Sequence, residues 1–283
     1  MLFGYDGQKK AGIGVSIGVI KGGFAEVLVF GFPGTGKSDF PFILVKLLKE
    51  ELKAEFSLAY VKCDRFAGQM TPKIATKIID TIKLALNNPP SIIAFDEIET
   101  LTLPMDEISP EVAPLAQWLR GLADESQVFN QVLLIGMTNH PKKVDPAVFR
   151  RFRVAIYFEV TDHNQVTEII QEKMDIDGKK AADVSQKLFK QMDTLGLVLL
   201  GCRAVDSCKQ ACIDAKEKGV DFQSMSSAEI VKMMMPNIGP GGLKEALEDW
   251  KTKYKGLIDF SINIQIPYFI AIAKRLDESK VKT

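Results

Sequence analysis

The sequence predicts an α/β fold in which a parallel sheet is sandwiched between helices and followed by a smaller α-helical lid domain. From residue 12 to about residue 160, short apolar runs alternate with helix-like segments, which is typical of a parallel sheet covered on both faces. After about Thr161 the strand-like runs mostly stop and amphipathic helical segments follow. We therefore divide the chain into an N-terminal segment (1–23), a core (24–160), and a helical lid with a C-terminal extension (161–283).

Five apolar runs are predicted strands, and the segments between and after them are predicted helices. The strands are 27–30, 57–62, 91–95, 132–137 and 154–158. The helices of the core are 39–52, 72–86 and 113–124, and those of the lid are 163–174, 179–193 and 203–217.

Two further segments alternate between apolar and small or polar residues, which predicts two more strands. They are 13–19, near the N-terminus, and 260–266, near the C-terminus. The wider apolar stretch 257–276 is predicted to be a buried element of the lid, with a docking surface as the alternative. Four residues there argue against a membrane span: Asp259, Asn263, Gln265 and Pro267.

The balance of charged residues argues against general electrostatic binding of nucleic acid. The chain carries 36 Lys and Arg against 36 Asp and Glu, so no overall basic field draws it to nucleic acid, although a local patch could. The first residues, MLFGYDGQKK, lack the layout of a signal peptide. We therefore expect a cytoplasmic protein without a membrane span.

A glycine-rich segment after the first predicted strand has the pattern GxxxxGK[ST]. Its glycines let successive N–H groups face one anion at the N-terminus of the next helix. Lys37 is predicted to reach the β and γ phosphates of a nucleotide, and the Ser38 hydroxyl to bind Mg²⁺. The residues predicted to bind the nucleotide are Pro33, Gly34, Thr35, Gly36, Lys37 and Ser38.

Two acids end the apolar strand 91–95, at the carboxyl edge of the predicted sheet. Asp96 is predicted to hold Mg²⁺, directly or through water, and Glu97 to orient and polarise the attacking water. A strand end capped by solvated acids is the alternative. Together with the phosphate loop, the pair favours Mg²⁺-dependent ATP hydrolysis.

With the strand ending in Thr138-Asn139 and the segment 145–152, DPAVFRRF, the chain resembles the AAA+ ATPases. The resemblance implies that Asn139 contacts the γ-phosphate or the attacking water. It also implies that Arg150 and Arg151 are arginine fingers that reach the nucleotide of a neighbouring subunit in a ring, most often a hexamer. A solvated basic cluster is the alternative for these arginines.

Two more sites rest on the same resemblance. Arg203, on the predicted lid, is similar to the second sensor arginine that contacts the γ-phosphate of its own subunit, with a surface arginine as the alternative. Phe66-Ala67-Gly68 resembles the pore loop with which ring-shaped ATPases grip a polypeptide, with a core-packed Phe66 as the alternative.

The leading functional hypothesis is a ring-forming ATPase that uses ATP and Mg²⁺ to remodel or disassemble protein substrates, directly or through an adaptor. The alternative is an AAA+ protein that acts on nucleic acid, such as an initiator, a loader or a transposition regulator. Arg203 favours this alternative, whereas the balanced charge opposes it.

Overall fold

The computed structural model describes residues 4–63, 72–102, 130–238 and 242–280, with a few single positions between 103 and 129. Its main sheet has five strands in the order β2-β3-β4-β1-β5. All five predicted strands are confirmed, and so is the fold class. Their bounds are β1, Phe24–Gly31; β2, Ser57–Lys62; β3, Ser91–Asp96; β4, Val132–Thr138; and β5, Val154–Phe158.

The register of the parallel strands brings three strand ends to one edge of the sheet. Phe30 of β1 lies opposite Thr138 of β4, and Asp96 of β3 lies opposite Met137 of β4. Because β3 and β4 are buried along their whole length, polar groups of these strands can reach solvent only beyond the strand ends. Functional side chains are therefore expected at this edge.

Four helices of the described residues belong with the sheet before residue 158. They are α1, Asp6–Ile20; α2, Phe40–Leu52; α3, Pro72–Leu86; and the short α4, Pro146–Phe149. The predictions of helices at 39–52 and 72–86 are confirmed. The predicted helix 113–124 lies largely outside the described residues.

The predicted strand 13–19 is wrong, because these residues lie inside helix α1. Alternate apolar residues also repeat at intervals of four, so Ile13 and Ile17 stack along a helix as readily as along a strand. Small residues let this helix be buried on several sides: a Cβ on Gly12 would lie 2.8 Å from the Phe40 ring, and one on Gly14 would lie 2.8 Å from the Phe269 carbonyl carbon.

Two glycines of α1 give a matched test of this close packing. Gly14→Ala is expected to lower the free energy of unfolding by about 1–3 kcal/mol, because the new methyl group meets backbone that cannot move aside. Gly18→Ala, where nothing lies within 4 Å of the added Cβ, should raise it by about 0.5–1 kcal/mol. Urea unfolding of both variants measures the difference. Equal effects of the two changes would contradict the packing.

The predicted strand 260–266 is also wrong. Helix α9, Lys244–Phe260, continues through a π-helical turn, Ser261–Gln265, into α10, Ile266–Lys280. The polar residues that made the segment look like a strand bond to β5. Ser261 Oγ accepts from the Tyr157 N–H at 2.8 Å and donates to the Ala155 carbonyl at 2.7 Å. Gln265 bonds to the Ala155 N–H and the Arg153 carbonyl.

The expectation that 257–276 is a buried lid element is wrong as well. Phe260, Ile262, Ile264 and Tyr268 are 42% to 62% exposed, and the contacts of this stretch place it in the unit of the sheet. Among the described residues, the helix Lys244–Arg275 is long and apolar enough to cross a membrane, by length and composition alone. Core helices of soluble proteins can meet the same criteria, so this finding identifies neither class of protein.

Contacts within the chain define two compact units. One contains Asp6–Gly31, Lys37–Tyr157 and the residues from Gly256 onward, and the other contains Phe32–Gly36 and Phe158–Lys255. The second unit has its own apolar core, built from four helices. The first three confirm the predicted lid helices, and the fourth was not predicted. The four helices are α5, His163–Met174; α6, Gly178–Thr194; α7, Gly201–Lys218; and α8, Ser227–Ile238. A two-stranded ribbon, β6 Leu197–Val198 with β7 Gly242–Leu243, completes it.

Candidate functional site

The phosphate loop has the backbone that its glycines predict. Gly34 and Gly36 have φ of 80° and 84°, in the left-handed region that glycine adopts at little cost. The Thr35 hydroxyl, which is buried, donates to the Phe32 carbonyl at 3.0 Å. Such a loop, closed on itself, exposes successive N–H groups to a single anion.

Lys37 is buried, with 6% of the residue exposed. Its ammonium donates to the Gly31 carbonyl, at the end of β1, at 3.0 Å. A buried ammonium needs acceptors around it, and this bond holds the cation at the end of β1. Lys37 therefore has the surroundings that the binding of phosphate oxygens requires.

The loop also touches the first turn of helix α7. A Cβ on Gly34 would lie 2.9 Å from the Leu200 side chain and 3.2 Å from the Cys202 sulfur. Arg203 stands in the same turn and is exposed. Within this unit, the arginine predicted as a second sensor is thus on the turn that packs against the phosphate loop.

Ser38 and Asp96 share one intermediary, Tyr60 of β2. The Tyr60 hydroxyl donates to Asp96 Oδ2 at 2.6 Å, and the Ser38 hydroxyl is hydrogen-bonded to the same phenol. Burial, followed by the hydrogen bond to Asp96, raises the pKa of Tyr60 well above its usual value. The two residues predicted to hold Mg²⁺ therefore meet at one place.

Glu97 follows Asp96 with an unusual backbone. Its φ of 56° is left-handed, which is uncommon for a residue other than glycine and is typically found at functional sites. The Glu97 carbonyl accepts from the Thr100 N–H at 3.0 Å and the Thr100 hydroxyl at 2.9 Å. These bonds hold the turn that sets the direction of the half-buried Glu97 side chain.

The end of β4 supplies the amide predicted to act beside the two acids. Thr138 is buried, and its hydroxyl accepts from the His140 N–H at 2.9 Å. Asn139 therefore sits in a tight turn directly beyond the strand, with its side chain half-buried. By strand register it belongs to the same sheet edge as Gly31 and Asp96.

Residues 145–152, which we call the finger segment, are fixed at both ends. Asp145 Oδ1 accepts from the N–H groups of Ala147 and Val148 at 2.8 and 3.2 Å, capping α4. At the other end the Phe152 ring fills the space above Gly136 of β4, 2.6 Å from where a Cβ would stand. Between these anchors Arg150 is exposed and Arg151 is half-buried.

Glu26 is a buried acid that the sequence did not lead us to predict. It lies on β1, is 4% exposed, and its Oε1 has no hydrogen-bond partner among the described residues. Burial raises its pKa to about 7, and Arg153 and Arg151 offset this only in part. Glu26 therefore interacts electrostatically with Arg153 and with Arg151 of the finger segment.

Glu26 gives a pH-dependent prediction. The folded protein keeps the Glu26 proton up to about pH 7, whereas the unfolded chain releases it near 4.5. The folded state binds more protons in that window, so its stability falls as the pH rises through it. Glu26→Gln should remove this contribution, and the stability of the variant should rise relative to that of the wild-type protein between about pH 4.5 and about pH 7. Urea unfolding of both proteins across that range measures the difference in free energy of unfolding. A difference that does not change with pH would contradict the prediction.

Tyr60 was the second residue that the sequence analysis missed. A tyrosine in the run SLAYVK and a glutamate in the run FAEVLVF are the signals that could have identified the two positions, because polar atoms in buried strands need a partner or a function. The predicted pore loop, Phe66-Ala67-Gly68, lies outside the described residues.

The residues present fit a magnesium–nucleotide pair. The loop offers N–H groups and a buried ammonium for phosphates, and Ser38 and Asp96 offer the hard oxygen donors that Mg²⁺ prefers. Few protein ligands suffice, because Mg²⁺ bound with a nucleotide keeps several waters and takes phosphate oxygens. Asp96 and Ser38 would hold the metal, and the loop the phosphates.

Comparison with known proteins finds a family model that matches the part of the chain that contains the site. The model of the ATPase family associated with various cellular activities (AAA) matches residues 27–160, which include the phosphate loop, Asp96 and the finger segment. The resemblance to the AAA ATPases found in the sequence is thereby confirmed for this part of the chain.

Individual relatives agree with this resemblance. The chain is 27% identical to the "Cell division cycle protein 48 homolog" of Archaeoglobus fulgidus over 237 residues, which cover 82% of this chain and 30% of that protein. It is 29% identical to the proteasome-activating nucleotidase of Methanocaldococcus jannaschii over 208 residues, which cover 70% of this chain and 45% of the relative. The chain thus spans less than half the length of these two relatives.

A solved structure confirms the fold. The FIGL-1 AAA domain in complex with ADP matches with a TM-score of 0.66 at 20% identity, covering 90% of this chain and 89% of that one.

Proposed function

We propose that this chain hydrolyses ATP in a Mg²⁺-dependent reaction, works as a hexameric ring of identical subunits, and couples turnover to the remodelling or disassembly of protein substrates in the cytoplasm. The observation that carries the proposal is that Ser38 and Asp96 are hydrogen-bonded to the same group, the Tyr60 hydroxyl. Asp96 directly precedes Glu97, whose backbone is left-handed.

The residues of the phosphate loop bind and orient ATP in this proposal. The N–H groups around Gly34 and Gly36 face the phosphates, and the Lys37 ammonium neutralises charge on them. Mg²⁺, which Ser38 and Asp96 would hold, would neutralise negative charge on the phosphates. The ADP named for the FIGL-1 AAA domain, which has the same fold, supports a nucleotide in this loop.

Glu97 and Asn139 act on the attacking water. Glu97, whose direction is fixed by its turn, accepts a hydrogen bond from the water and polarises it, as the water-positioning residue does in phosphoryl transfer. Asn139 donates an amide hydrogen bond at the same sheet edge. Arg203, on the turn that packs against Gly34, contacts the γ-phosphate from the lid of the same subunit.

Arg150 and Arg151 complete the site of a neighbouring subunit. Because Arg150 is exposed between two anchored ends of the finger segment, its guanidinium can extend away from its own subunit. A site finished in this way requires a ring, which is why we propose the hexamer.

A protein is the proposed substrate for two reasons. The relatives include a proteasome-activating nucleotidase and a spastin homolog, and the balanced charge, 36 against 36, offers no general attraction for nucleic acid. Phe66-Ala67-Gly68 is the proposed gripping loop, and an adaptor is a possible carrier of the substrate. The alternative hypothesis is that the chain acts on nucleic acid.

The test is the steady-state ATPase rate with Mg²⁺, measured alone, with an unfolded protein, and with DNA at low salt. The proposal expects turnover that rises with unfolded protein and does not respond to DNA. A several-fold stimulation by DNA that disappears as salt is added would replace the protein substrate with nucleic acid. Absence of any turnover would refute the ATPase itself.

A further inference from the structure

Tyr60 occupies the point where the two proposed metal-binding residues come together. It lies opposite Ala94 of β3, two residues before the pair of Lys62 and Asp96, so Tyr60 leans along the strands towards the Asp96 carboxylate. Its hydroxyl is 2.6 Å from Asp96 Oδ2 and also bonded to Ser38.

The direction of these two hydrogen bonds follows from the chemistry of the groups. An ionised carboxylate only accepts, so the phenol proton must point to Asp96. The phenol oxygen then accepts the proton of the Ser38 hydroxyl. A phenol keeps its proton at neutral pH, so this direction does not reverse.

This order leaves the Ser38 oxygen suited to a cation. A hydroxyl that binds a metal offers a lone pair and must send its proton elsewhere. With that proton committed to Tyr60, the lone pairs of Ser38 face away from the phenol. One oxygen of Asp96 is held by Tyr60, which fixes the orientation of the carboxylate and leaves the other oxygen to the site.

The phenol ring is held from its other side. Phe42 of α2 packs against it, with 4.8 Å between the ring centroids and 44° between the planes. Phe42 is half exposed, and the Tyr60 ring covers part of the other half. The ring pair restricts the tyrosine to the rotamer that reaches Asp96.

We infer that Tyr60 is a positioning residue of the metal site, acting through Ser38 and Asp96 to order their oxygens for Mg²⁺. The inference rests on the proposed function, since it concerns the metal of that same site. Outer groups that orient metal ligands typically contribute about 10- to 100-fold in metal affinity.

The test is Tyr60→Phe, which removes the hydroxyl and keeps the ring against Phe42. Mn²⁺, followed by electron paramagnetic resonance, is titrated into the protein with ADP, and ADP affinity is measured separately in EDTA. We expect Mn²⁺ to bind about tenfold more weakly to Tyr60→Phe, with ADP affinity in EDTA unchanged. Tyr268→Phe, at an exposed tyrosine, is the matched control and should change neither quantity.

Each outcome decides the inference. Weaker Mn²⁺ binding with unchanged ADP affinity supports it, and equal or tighter binding overturns it, because the phenol would then be neutral or would compete with the metal. In a Ser38→Ala background the further effect of Tyr60→Phe should shrink. If Tyr60→Phe does not fold, Phe42→Ala frees the ring instead, and its Mn²⁺ affinity must fall.

The measurement is independent of turnover. If the wild-type protein binds Mn²⁺ and ADP but does not hydrolyse ATP, the proposed function fails while Tyr60 is still tested. If Tyr60→Phe changes nothing in a protein that hydrolyses ATP, the inference about Tyr60 alone fails.

Discussion

Replacing Arg150 with alanine is expected to lower the ATPase rate by about a thousandfold or more, because a guanidinium delivered to the developing charge contributes that much in phosphoryl transfer. The loss should appear in turnover, with ADP binding retained, since Arg150 is exposed and remote in sequence from its own phosphate loop. Arg275→Ala, at another exposed arginine, is the control and should leave the rate unchanged.

Mixing experiments decide whether Arg150 acts across subunits. Arg150→Ala subunits keep Glu97, and Glu97→Gln subunits keep Arg150, so a mixed ring contains sites with both residues intact. Turnover should therefore return when the two inactive variants are combined and co-assemble. Mixtures that co-assemble and remain inactive would show that Arg150 serves its own subunit, and the reason for proposing a ring would be lost.

The Glu97→Gln variant is expected to lose turnover by about 10²- to 10⁴-fold, the contribution typical of a positioned acid–base group. The amide is nearly isosteric, so the left-handed turn at residue 97 and its hydrogen bonds from Thr100 should persist. Nucleotide binding should survive. Single-turnover hydrolysis with equilibrium ADP binding measures both.

Glu55→Gln is the matched control for this change, because Glu55 is exposed and pairs only with Lys49, at 2.7 Å, among the described residues. It should hydrolyse ATP at the wild-type rate. A Glu97→Gln protein that also loses nucleotide binding would mean that Glu97 holds the turn rather than the water, and the proposed mechanism would need another residue in that role.

The sequence was sufficient where burial alone decides the structure. The apolar runs of β3 and β4 are buried on both faces. Short, continuously apolar runs between helices are typical of strands in a buried parallel sheet. The phosphate loop and the pair Asp96 and Glu97 followed from the same reasoning, because the loop stands directly after β1 and the pair stands at the end of β3. At these positions the sequence motifs and the predicted strands pointed to the same residues.

Alternation misled at the two helices near the ends of the chain. In α1 the small residues Gly12 and Gly14 are where Phe40 and Phe269 come close, so a period of two reflects tight packing rather than a strand. Near the C-terminus a π-helical turn shifts the helical phase, which disturbs the pattern expected of a regular helix. Neither packing partner is visible in a single sequence.

Tyr60 and Glu26 were missed for a related reason. The role of Tyr60 depends on which strand lies beside β3, and the role of Glu26 depends on which arginines lie over β1. Sequence spacing gives neither neighbour. Only after the strand order is known does a tyrosine in β2 become a candidate partner of Asp96.

The side chains that bond to β5 also protect the sheet from unwanted association. β5 is an edge strand, and exposed strand edges recruit strands of other molecules. Here Gln8 donates to the Tyr157 carbonyl, and Ser261 and Gln265 use the backbone groups of Ala155, Tyr157 and Arg153. The ladder positions that an incoming strand would need are therefore already taken. Another strand cannot pair with this edge as long as the helical segment that carries Ser261 and Gln265 stays in place.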